Sequence, residues 1–64
     1  MTLTIYTREG QYLREYAADT TAAITTWIRR HALRVYDHAK LDADTLALLA
    51  RSRDSRDYLL LIQR

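Results

Sequence analysis

The chain of 64 residues contains no cysteine, no proline, no phenylalanine and only one glycine. Without cysteine no disulfide can staple the fold, and no thiolate can ligate zinc or attack a substrate. So short a chain buries only about 60% of the surface its unfolded form exposes, so self-association is the cheapest remaining support and a homodimer is expected. The missing cysteine also fits a reducing, cytoplasmic setting. A single glycine excludes a phosphate-binding loop, which needs several. The most apolar uninterrupted run, Tyr58 to Ile62, is far short of the roughly 20 residues a bilayer demands. Met1 to Tyr6 alternates polar and apolar residues where a secretion signal would need a charged segment followed by an apolar one.

What is present is one segment with a sustained helical period. At about 100° per residue, Ile24, Ile28, Val35 and Ala39 fall on one stripe of Asp19 to Lys40, with His31 beside it and Trp27 at its edge. The spacing predicts a long helix there, capped by Asp19, with Thr20 or Thr21 as alternative caps. Leu41 to Asp44 breaks the period, and Leu46, Leu49 and Ala50 share one face of a second, shorter helix reaching about Ser52. Leu33 and Tyr36 point away from the core stripe and require a cover.

Before the helix, LTIYT and QYLREY flank Gly10 as two alternating runs, the pattern of a β-hairpin. A two-residue Glu9-Gly10 turn would put Arg14 opposite Ile5 and mix charge into the apolar row, whereas a three-residue loop, Arg8-Glu9-Gly10, with Gly10 in the left-handed conformation, pairs Ile5 with Leu13 and Tyr6 with Tyr12 and is the register expected. That register yields a core face of Leu3, Ile5 and Leu13 and an opposite face of Thr4, Tyr6, Tyr12, Arg14 and Tyr16. After the polar stretch SRDSRD, residues Tyr58 to Ile62 read as a strand that is apolar on both faces, placing Leu59 and Leu61 in the core and Tyr58, Leu60 and Ile62 outside. The expected architecture is a single α+β domain spanning residues 1–64: an N-terminal β-hairpin, one long helix plus a short second helix, and a C-terminal strand. Together these give a three-stranded sheet with the helices on one face.

Three function classes compete. Catalysis is poorly served: His31 and His38 lie about 10 Å apart along a helix, His38 with Asp42 supplies two ligands at most, and Ser52 and Ser55 sit in a polar loop with no partner base. No enzyme, cofactor or metal site is expected. Nucleic-acid binding would use Arg29, Arg30, Arg34 and Lys40 on the helix with the tyrosine face as a stacking platform. Against it, these cations are split between two flanks, Asp37 neutralises Arg34, and the helix dipole accounts for the basic excess. Protein binding is favoured, because Tyr6, Tyr12, Arg14 and Tyr16, extended by Tyr58, Leu60 and Ile62, would form an apolar, tyrosine-rich surface too large to leave wet. Small motif-poor domains of this size are typical of phage and mobile-element accessory or inhibitory proteins that cover a host or cognate protein's surface.

Overall fold

The computed structural model describes residues 1–64. It holds six elements: β1 (Thr2–Thr7), β2 (Tyr12–Ala17), α1 (Thr21–Arg30), β3 (Arg34–Asp42), β4 (Thr45–Arg51) and β5 (Asp57–Gln63). The strands form one antiparallel sheet in the order β2-β1-β5-β4-β3. This corrects the expectation of three strands and two helices: there are five strands and one helix.

The β1–β2 hairpin turns on Gly10, whose φ of +93° only glycine adopts freely. The Gly10 N–H donates to the Thr7 carbonyl at 2.9 Å and the Thr7 N–H to the Gln11 carbonyl at 2.8 Å, closing the loop around Arg8 and Glu9. Tyr6 then faces Tyr12 as expected, but one position further the register shifts, so Ile5 meets Arg14 and not Leu13. Leu13 is the extra residue of a β-bulge, and it stands 45% exposed.

The helix is less than half its expected length. Thr20 caps it, accepting the Ala23 N–H at 3.1 Å, one residue beyond Asp19. It stops because Ala32 takes the left-handed conformation at φ +54°. Its N–H donates to the Arg29 carbonyl and that of Leu33 reaches back to the Ile28 carbonyl, at 3.0 and 3.2 Å. These bonds make a Schellman-type end with alanine where glycine usually stands.

Residues expected to continue the helix form β3, which pairs with β4 and is exposed along its whole length. The expected second helix is β4. The Asp44 N–H donates to the Asp42 side chain at 2.8 Å in the β3–β4 turn. Leu46, Leu48 and Ala50 then alternate inward at a period of two. The same stretch also satisfies a helical period through Leu46, Leu49 and Ala50, so composition alone leaves it ambiguous.

Cross-strand partners share a face, which makes the two sides of the sheet readable. Leu3, Ile5, Leu48, Ala50 and Leu60 lie beneath α1 and join Ile24 and Ala18 in the core. Leu3, Ile24 and Leu60 are the largest fully buried side chains, each contributing about 1.5–3 kcal/mol by burial. Val35, expected in the core, is 39% exposed on the edge strand. No helix is long and apolar enough to cross a membrane.

Candidate functional site

The single helix covers only one side of the sheet. The other side is open, and its composition follows from the registers: Glu15, Thr4, Leu61, Ala47 and Ala39 form one cross-strand row, and Tyr12, Tyr6, Leu59, Leu49 and Asp37 the next. Tyr6 and Tyr12 meet edge to face, with ring centroids 6.2 Å apart and planes at 76°, a favoured aromatic geometry. Thr4 is 6% exposed, so neighbouring side chains already close over the backbone, and the surface is apolar across its middle with Glu15 and Asp37 on the two edge strands.

One rim of this face is charged and organised. The Arg51 guanidinium donates to Asp57 Oδ1 at 2.8 Å, Arg8 approaches Asp57 Oδ2 at 3.5 Å, and Arg51 lies 5.2 Å from the Tyr36 ring centroid. The hydrogen bond from Arg51, together with the charges of Arg51 and Arg8, holds the Asp57 carboxyl below the usual carboxylate range. The same hydrogen bond and the Asp57 charge raise Arg51 further above its ordinary value. In the β4–β5 loop, Ser52 donates to Asp54, and this bond holds the Asp54 carboxyl low as well.

The residues expected to form one partner-binding face are divided by the structure. Tyr6 and Tyr12 are together on the open side. The bulge at Leu13 shifts the register beyond it, so Arg14 and Tyr16 stand opposite Ile5 and Leu3 on the helix side, where Tyr16 stacks on Trp27 at 6.0 Å. Tyr58, Leu60 and Ile62 also face the helix: Leu60 is fully buried, and Tyr58 and Ile62 pack against the core. The expected core residues Leu59 and Leu61 are the ones on the open face. Sequence reasoning missed Tyr36, Leu49, Leu59 and Leu61, and with β5 apolar on both faces no signal in the chain chose between the two parities.

The basic helical track is also undone. Arg29 and Arg30 end α1, Arg34 begins β3, and Lys40 lies near the far end of that strand, opposite Leu46. The topology assembles a different basic region. The β1–β2 turn, the end of α1 and the β4–β5 loop share one end of the sheet. Seven of the ten cationic side chains (Arg8, Arg29, Arg30, Arg34, Arg51, Arg53 and Arg56) gather there against Glu9, Asp54 and Asp57. His31 and His38 fall on different elements, and no group of three or more histidine, aspartate or glutamate side chains is placed to hold a metal ion. Ser52 and Ser55 lie in the β4–β5 loop, where Ser52 hydrogen-bonds Asp54 and Arg56.

Comparison with protein-family models, with curated proteins and with solved structures returns no match.

Proposed function

We propose that this chain is a small, non-enzymatic protein-binding module of the accessory or inhibitory type, which acts by covering a partner protein's surface with the open face of its sheet. The observation that carries the reading is the contiguous apolar surface of Tyr6, Tyr12, Leu49, Leu59 and Leu61 on the side the helix leaves bare. Tyrosine is enriched at interface hot spots, and a rigid sheet presents it at little entropic cost. Five strands of about six residues give a footprint on the order of 500 Å², below the roughly 800 Å² per partner of a standard interface. The contact therefore extends past the strands onto the rim of Tyr36, Arg8, Arg51 and Asp57 that borders the same face. A second copy of the chain is a partner of the same kind, and sedimentation at micromolar concentration reports it.

A second reading draws on the arginine-rich end alone. Arg29, Arg30, Arg34 and Arg53 form no ion pair, and four neutralised phosphates correspond to a log–log salt slope of about −3 to −4. That is weak, sequence-independent nucleic-acid binding, and it leaves the apolar face unused.

Capture from a host lysate separates the two. The wild-type chain and an Arg29→Glu/Arg30→Glu variant should retain the same protein, whereas Tyr6→Asp with Leu61→Asp should release it while the fold persists. Loss of binding in the arginine variant only, with an oligonucleotide in the eluate, would transfer the function to nucleic acid.

A further inference from the structure

The bulge in β2 has a cost and a location that point to a site. A regular hairpin would set Leu13 opposite Ile5; the structure instead sets Arg14 there and leaves Leu13 45% exposed. Both side chains border a cleft of about 230 Å³ on the helix side of the sheet, between β2, the end of α1 and the β4–β5 loop. Ile5, Leu33 and Tyr58 supply apolar lining, and Trp27 forms an aromatic wall with His31 stacked on it, ring centroids 3.8 Å apart. The His31 ring is held there by a 2.8 Å hydrogen bond from Nδ1 to the Trp27 carbonyl. No carboxylate lines the cleft, and Arg14 makes no ion pair with any acid in the chain. Bulges commonly re-aim side chains beside functional sites, and the left-handed Ala32, a strained position for a residue with a Cβ, joins His31 and Leu33 of the same lining.

We infer that this cleft binds a small apolar group carrying one carboxylate, such as an aromatic or branched aliphatic acid. The apolar body lies against Leu13, Trp27 and Leu33, and the Arg14 guanidinium donates to the carboxylate, a pairing that suits its forked geometry. The volume admits one large side-chain-sized body and is below the usual range for larger ligands. The same chemistry occurs in a free metabolite and at the carboxyl terminus of a polypeptide ending in a large apolar residue.

Trp27 is the only tryptophan, so its fluorescence reports occupancy directly. Phenylacetate titrated at constant ionic strength should change the emission saturably, and phenylacetamide should bind at least about tenfold more weakly, the loss expected for one charge-assisted hydrogen bond. Arg14→Gln, with an unchanged melting temperature, should weaken phenylacetate by a similar factor. Tighter binding of N-acetyl-Ala-Ala-Phe than of phenylacetate assigns the site to a chain terminus, and weaker binding assigns it to a free acid. Equal affinity for the acid and its amide, or no saturable response to either, would overturn the proposal on the wild-type protein alone.

Discussion

Ile5 of β1 lies directly opposite Leu60 of β5, and both are buried, at 4% and 0% exposure. The first and last strands of the chain are thus neighbours near the middle of the sheet, and the fold closes only when residues far apart in sequence meet. Leu60→Ala removes a side chain with no route to solvent and should cost about 2–5 kcal/mol, a large share of what so small a domain possesses. Urea unfolding measures it; a loss under 1 kcal/mol would mean that the β1–β5 pairing is not central to the core.

Gly10 tests the hairpin separately. A Cβ built there meets nothing within 4 Å, so the whole effect of Gly10→Ala is backbone strain at φ +93°. The expected loss is about 1 kcal/mol, read from the shift in the urea midpoint, with no change in the exposure of Tyr6 or Tyr12.

Ala32 is the converse case. It holds a left-handed conformation in the position where helices favour glycine, and Ala32→Gly should raise stability by roughly 0.5–1 kcal/mol. A loss would show that the alanine methyl packs against the turn strongly enough to outweigh the strain.

The hairpin and its loop were legible because Gly10 stands between two alternating runs, but the partner of Ile5 was not, since nothing in the residues marks the bulge at Leu13 that sets Arg14 opposite it. The helix start was legible within two residues for the same kind of local reason, a threonine cap. Its end was not, since Ala32 carries no sequence mark of the left-handed turn it makes. Val35 and Ala39 fell on the helical stripe by coincidence of spacing. In β4, leucine and alanine satisfy periods of 3.6 and two alike, and only the alternate contacts of Leu46, Leu48 and Ala50 with the core select the strand. The candidate site was half legible. Tyr6 and Tyr12 were paired correctly, but the bulge at Leu13 moved Arg14 and Tyr16 to the other side. The two apolar faces of β5 left Leu59 and Leu60 interchangeable until the pairing of Ile5 with Leu60 decided between them.

Acid should expose the Arg51–Asp57 pair. The Asp57 carboxyl is held below its ordinary value, first by the hydrogen bond from Arg51. A carboxylate depressed in the folded state favours folding above its unfolded value near 3.9, and that contribution is lost as pH falls through the lower, folded value. The melting temperature should therefore drop on acidification below about pH 4. Asp57→Asn should lower it at pH 7 and make that acid limb shallower; an acid limb identical to the wild type would remove the pair from the account.

Whether the open sheet face makes the contact can be read residue by residue from amide chemical shifts. With ¹⁵N-labelled protein and the partner recovered by capture, shifts or broadening are expected at Tyr6, Tyr12, Ala47, Leu49, Leu59 and Leu61, with the exposed helix residues Ala22, Thr25 and Thr26 unmoved. Perturbations confined to α1, or to Arg29, Arg30 and Arg53 with the sheet amides unchanged, would contradict it.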